Sequence, residues 1–265
     1  MQRDASEVSG LWHSRGGQGD KLLLLLHGLG ANASVWDRMI PLIEESWDGR
    51  WLAPDLRGHG RSFHRGPYGF GVHAADIAAL VKDERPGKVS IVGHSFGGVV
   101  GAMLATGWFG PQIAMLFAFG VKLNWSASEV AKSHEIARKP ARTFAEKSEA
   151  IDRYLKISGL FGIVDPRSEE ASIGIKHIES GYHVAMDPRA FEAVGPSIPG
   201  VFSQVSSSFR LAAGENDPMV TADEMRQIDK NAVVFPGLGH NAHCENPEAI
   251  WRVISEELSR RPIEP

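Results

Sequence analysis

The chain has 265 residues, 43% of them apolar and 23% charged, with a net charge of −4 at pH 7. This is the balance of a globular protein that can bury a large core, and it removes the electrostatic case for a nucleic-acid or anionic-membrane partner. One cysteine, Cys244, excludes an internal disulfide and a cysteine-based metal cluster. No apolar run approaches the length of a bilayer span; residues 22–26 have the size of a buried strand. Residues 1–10 are polar and lack the apolar centre of a secretory leader, which predicts a cytoplasmic location.

Taken in order, residues 8–14, a glycine-rich turn and residues 21–26 predict an opening β-hairpin. Val35, Met39, Leu42 and Ile43 fall at helical spacing and predict a helix over 34–46. A strand over 51–56 and a helix over 72–83 follow. Residues 89–92 are a second apolar strand, continued by a small-residue helix over 99–104, and residues 113–119 are a third apolar strand. Strands alternating with helices predict a mostly parallel, doubly wound α/β sheet covered on both faces. From about Lys122 to Val201 the pattern changes to a charged, largely helical stretch without a convincing buried strand. Strand-like runs resume at 208–213 and 232–235, and a helix over 247–258 closes the chain. The expected organisation is a core formed by 1–121 and 202–265, with 122–201 inserted as a helical cap.

The junction at Gly93-His94-Ser95-Phe96-Gly97 carries the chemistry. It matches G-x-S-x-G, a serine on a sharp strand-to-helix turn, where flanking side chains would clash and the next amide opens a helix. A helix N-cap explains a lone serine equally well, so the context has to decide. A serine nucleophile needs a base, and the base needs an acid to hold its tautomer. Asp217 follows strand 208–213 and His240 follows strand 232–235, in the chain order Ser, Asp, His.

With Gly214-Glu215-Asn216-Asp217-Pro218, Gly239-His240, and Asp55-Leu56-Arg57-Gly58-His59-Gly60-Arg61-Ser62 in place, the chain resembles the α/β-hydrolase superfamily, in its small capped esterase-like branch, over nearly its whole length. The resemblance is weakest in the cap. It implies Ser95 as nucleophile, Asp217 as acid and His240 as base. It also implies an oxyanion hole made by the backbone N–H groups of Phe96 and, from the His27-Gly28-Leu29-Gly30 turn, Leu29. The rivals are His243 for the base, Glu215 or Asp55 for the acid, and Cys244 as a second nucleophile. In similar proteins the loop carrying Asp55 is structural, tied down here by Arg57 and Arg61, and His94 belongs to the packing of the elbow. Gly28 and Gly30 do not extend to a dinucleotide fingerprint, because Ala33 stands where the third glycine is required. No metal-ligand spacing appears, and no cofactor is expected.

Within the family a serine at the elbow argues against dehalogenase and epoxide-hydrolase chemistry, which use aspartate there. The expected activity is hydrolysis of a small-molecule carboxylic ester, lactone or thioester through an acyl-enzyme. The alternatives are a carbon–carbon bond hydrolase of a ring-cleavage-type diketone, a cofactor-free haloperoxidase, and a ligand-binding receptor on the same scaffold. Between residues 122 and 149, six basic residues face four acidic ones; a solvated helix face or a carboxylate-bearing substrate accounts for them. Lys122 and Trp125 are the expected substrate-binding residues, Lys122 at the pocket mouth as a candidate carboxylate partner. The partner expected is a small molecule, and the protein itself a monomer or homodimer.

Overall fold

The structure, a computed structural model, describes residues 2–5 and 10–259. In chain order the elements begin with β1 (Gln2–Ala5), β2 (Trp12–Gly17), β3 (Lys21–Leu26), α1 (Ile40–Ser46), β4 (Arg50–Pro54), α2 (Phe70–Glu84), β5 (Lys88–His94), α3 (Phe96–Ala105) and β6 (Ile113–Phe119). After β6 come α4 (Ala127–Ala137), α5 (Lys147–Ile157), α6 (Glu169–Ile173), β7 (Ile175–Ile178), β8 (Gly181–Val184) and α7 (Ile198–Phe202). The chain then returns through β9 (Ser208–Gly214), α8 (Ala222–Arg226), β10 (Val233–Phe235), α9 (Ala242–Glu245) and α10 (Pro247–Ser259). Eight strands form one sheet in the order β1-β2-β4-β3-β5-β6-β9-β10, parallel from β4 to β10. β2 runs antiparallel to both of its neighbours. Among the described residues no helix is long and apolar enough to cross a membrane.

The apolar run 22–26 explains the two-layered core. Successive side chains of a strand point to opposite faces, so Leu22, Leu24 and Leu26 pack with α2 and α3. Leu23 and Leu25 pack with α1 and α10. All five are buried, the mark of a strand covered on both faces.

Two expectations need correction. The opening hairpin does not form, because β4 lies between β2 and β3. β3 is apolar on both faces and takes parallel neighbours, β4 and β5, whereas the polar and glycine-containing β2 lies further out, paired to β4. Val8, which was to open that hairpin, lies outside the described residues. The helix expected over 34–46 is split into a 3-10 turn, Ala33–Trp36, and α1. Pro41, in the first turn of α1, has no N–H to continue a helix arriving from residue 37. The stretch between β6 and β9 is helical, as expected, but also contains the ribbon β7–β8, whose residues are mostly half-buried.

Because β3, β5, β6, β9 and β10 are parallel, the loops after them emerge at one edge of the sheet. His27 to Gly30, Ser95, Gly120, Asp217 and His240 all lie in those loops.

Candidate active site

Ser95 sits between β5 and α3 with φ 50° and ψ −114°, one of two non-glycine residues with positive φ among the described residues. Its N–H donates to the carbonyl of Phe119 at 2.8 Å, which ties the turn to the end of β6. Its carbonyl accepts from Gly98 at 3.0 Å and Val99 at 3.4 Å, at the start of the helix. A trans peptide points its C=O and N–H in opposite directions. With the Ser95 carbonyl turned into α3, the N–H of Phe96 points out of the helix N-terminus. Gly97 makes this geometry possible, since a Cβ there would meet the carbonyl of Leu26 on β3.

The same rule orients Leu29. The Gly28 carbonyl accepts from Ala31 N–H at 3.2 Å and lies 2.8 Å from His27 Nδ1. His27 Nε2 accepts from Leu56 N–H at 2.9 Å, so the ring proton is on Nδ1 and donates to Gly28. Burial lowers the pKa of His27 to about 4 and keeps it neutral in that tautomer. The Leu29 N–H therefore faces the opposite way from the bonded carbonyl. Neither the Leu29 nor the Phe96 N–H donates to another group among the described residues.

His240 Nδ1 lies 3.0 Å from each carboxylate oxygen of Asp217. The Asp217 side chain is fully buried and also accepts from Met219 N–H at 2.8 Å. The loops that bring the two together are laced to one another. Glu215 N–H donates to Phe235 (2.9 Å), Asn216 N–H to Leu238 (2.8 Å), and Gly237 N–H to the Glu215 carboxylate (2.9 Å). The Glu245 carboxylate accepts from Gly239 N–H at 2.8 Å, beside the histidine. His94, kept neutral by burial, donates from Nε2 to the His240 carbonyl at 2.9 Å. Gly120, at φ 64°, leaves room for both rings, since a Cβ there would lie 3.2 Å from each.

Ser95 and His240 line the same cavity of about 440 Å³, together with Leu29, Phe96 and Trp125. Lys122 lines it too, but its ammonium is 3.0 Å from the Glu129 carboxylate and 5.3 Å from the centre of the Trp125 ring. Its charge is thus already matched. The far wall comes from the stretch between β6 and β9, through Ile157, Phe191 and Val194. Asn241 crosses to that stretch, donating from Nδ2 to the carbonyls of Ser158 (3.3 Å) and Gly159 (3.0 Å).

The rivals fall elsewhere. Glu215 is spent on Gly237 N–H. His243 is buried against Trp36, Phe119 and His94, with no hydrogen-bond partner on either ring nitrogen among the described residues. Asp55 accepts from Arg61 and from Ala33 N–H and braces its own loop, while Arg57 ties that loop to Asp76 on α2. Cys244 is buried, and burial raises its thiol pKa. Among the described residues no three His, Cys, Asp or Glu side chains gather as a metal site. Sequence reasoning missed the orienting role of His27, the clearance at Gly120 and the bridge from Asn241. Of these, His27 had a signal in its place before Gly28-Leu29-Gly30, and Asn241 in its place next to His240.

Residues 23–253 match the family model described as "Alpha/beta hydrolase family"; the chain belongs to that family. A "Serine hydrolase-like protein" of Danio rerio is 25% identical, the match covering 89% of this chain and 81% of the relative. "Lipase LipV" of Mycobacterium tuberculosis is 30% identical over a shorter match, 60% of this chain and 58% of the lipase. Among solved structures, E-2-(acetamidomethylene)succinate hydrolase shares the fold with a TM-score of 0.78 at 20% identity, covering 98% of both chains.

Proposed function

We propose that this protein is a serine hydrolase that cleaves a small-molecule carboxylic ester, lactone or thioester through an acyl-enzyme. The observation that carries the reading is a single cavity lined by both Ser95 and His240, with His240 Nδ1 held at 3.0 Å by the buried Asp217. That contact puts the ring proton on Nδ1 and leaves Nε2 as the lone-pair nitrogen. His240 Nε2 then takes the Ser95 hydroxyl proton as Oγ attacks the substrate carbonyl. The oxyanion receives the N–H groups of Leu29 and Phe96. Collapse expels the alcohol or thiol, protonated by His240, and leaves acyl-Ser95. Water, deprotonated by the same histidine, attacks the acyl carbon and releases the acid with Ser95 restored. The names of the relatives, a serine hydrolase-like protein and a lipase, support this class.

In this reading residues 122–201 are the cap, and the apolar wall of Trp125, Ile157, Phe191 and Val194 selects the acyl or alcohol group. A carboxylate-bearing substrate would have to displace Glu129 from Lys122, which favours neutral substrates. The reading places the enzyme in the cytoplasm as a monomer or homodimer. The test is turnover of a short-chain p-nitrophenyl ester series by the native protein and Ser95→Ala. Multiple turnovers, lowered at least about 10³-fold in the variant, are expected. A folded native protein inactive on every ester would overturn the assignment and direct attention to β-diketone substrates.

A further inference from the structure

A second cavity, of about 480 Å³, opens between the ribbon β7–β8, the turn after α4 and the loop that carries His64. Four cations line it, Arg138, Lys139, Lys176 and Arg189, against one carboxylate, Asp187. That balance runs against the chain's net charge of −4. Two of the cations are matched: Lys139 by Glu135 at 2.7 Å and Arg189 by Asp187 at 2.7 Å. The other two are not. Arg138 has no side-chain partner among the described residues. Lys176, half-buried, has its ammonium 2.8 Å from His64 Nε2, a nitrogen that also lies 3.2 Å from the Gly60 carbonyl, and it has no carboxylate in ion-pair contact among the described residues.

An ammonium withdrawn from water with no carboxylate in contact is under-compensated, and Asp55 attracts Lys176 only in part against its burial. Burial accordingly lowers the pKa of Lys176, and burial together with Lys176 lowers that of His64. The remaining wall is apolar, with Val184 and Met186. A third cavity, of about 380 Å³, shares those two residues and reaches Ile157 and Phe191, which also line the Ser95 cavity. The basic cavity shares no lining residue with the Ser95 cavity, although the third cavity borders both, and no residue of the proposed hydrolysis lines it.

We propose that this cavity is a binding site for an organic dianion, a phosphate monoester on a compact apolar body, held by Lys176 and Arg138 with the body against Val184 and Met186. Two unmatched positive charges suit a group that carries between one and a half and two negative charges at neutral pH. Arginine supplies a two-pronged contact to phosphate oxygens and lysine a point charge.

The test is calorimetric titration of the full chain with phenyl phosphate at pH 7.5, with benzoate as a monoanion of similar apolar body. Saturable one-to-one binding of phenyl phosphate is expected, with benzoate weaker. Lys176→Met and Arg138→Gln should each weaken phenyl phosphate by about tenfold or more. Arg138 is exposed, so its replacement tests the site even where Lys176→Met disturbs folding. Lys122→Ala, in the Ser95 cavity, should leave phenyl phosphate binding unchanged. No saturable binding at millimolar phenyl phosphate overturns the site. So does binding that survives both variants, or binding that depends on Lys122. None of these outcomes touches the ester assay with Ser95→Ala, so the two proposals stand or fall separately.

Discussion

Ser95 holds φ 50° and ψ −114°, a backbone state that costs a residue with a Cβ about 1–3 kcal/mol. The cost is met by fixed partners: its N–H on Phe119, and its carbonyl on Gly98 and Val99. Alanine keeps the Cβ and therefore keeps the strain, whereas glycine releases it. Ser95→Gly is expected to be more stable than Ser95→Ala by about 1 kcal/mol, after allowing for the extra backbone entropy of glycine in the unfolded chain. Both variants should lack turnover. Denaturant midpoints compare the two directly, and equal midpoints would mean that the turn is unstrained. His27 works on the same scale: its neutral ring fixes the peptide that carries the Leu29 N–H, and it touches no substrate-facing atom in doing so.

At the scale of elements, the elbow depends on how closely α3 approaches β3. A Cβ on Gly97 would press on the backbone carbonyls of Leu26 and His27, which cannot swing aside as a flexible side chain would. Gly97→Ala is expected to lower stability by about 1–3 kcal/mol, the range for an overpacked site. It should also lower ester turnover, because relief requires moving the helix end that carries the Phe96 N–H. Thermal denaturation and the ester assay together check this. Native stability and native turnover in the variant would show that α3 and β3 do not need this contact. The bridge from Asn241 to Ser158 and Gly159 belongs to the same scale, since it couples the loop of His240 to the end of α5.

Over the whole molecule, a set of buried imidazoles links folding to pH. Burial lowers the pKa of His27 to about 4 and of His243 to about 3, and holds His59 and His94 well below the ordinary 6.5. In the unfolded chain these rings protonate near 6.5, while in the folded chain they stay neutral to much lower pH. Below 6.5 the unfolded state therefore binds more protons, and stability falls with pH until the folded pKa is passed. For His27 the loss between pH 6.5 and about 4 is about 3 kcal/mol, at 1.36 kcal/mol per unit. The melting temperature should be clearly lower at pH 5 than at pH 7.5. His243→Leu removes a ring whose nitrogens have no hydrogen-bond partner among the described residues. The variant should be no less stable than the native protein at pH 7.5, and should lose less stability on acidification. Equal pH slopes for the two proteins would show that His243 does not carry this linkage.

Much of this was legible along the chain because it is written in local rules. Five consecutive leucines demand a strand covered on both faces, and β3 is one. G-x-S-x-G after an apolar strand marks a turn with a serine at its apex, and Ser95 stands there. Asp217 and His240 follow strands that the apolar pattern located, and in the structure they meet at 3.0 Å. What local pattern could not decide was pairing between distant segments. Residues 12–17 and 21–26 are close in sequence, yet β4 inserts between them, because register and neighbour depend on which faces are buried in the whole sheet. Lys122 is an available cation by sequence alone, but in the fold its ammonium lies 3.0 Å from Glu129. The basic cavity of Arg138 and Lys176 draws on residues 38 apart in sequence and exists only where the ribbon folds back against the turn after α4. The sequence by itself determined the strand-and-helix alternation, the turn that presents Ser95, and the order of the candidate triad, since each rests on near neighbours in the chain. The tertiary structure alone decided which strands pair, which charges are already matched and where cavities lie, since each depends on the distance between groups that the chain brings together only when folded.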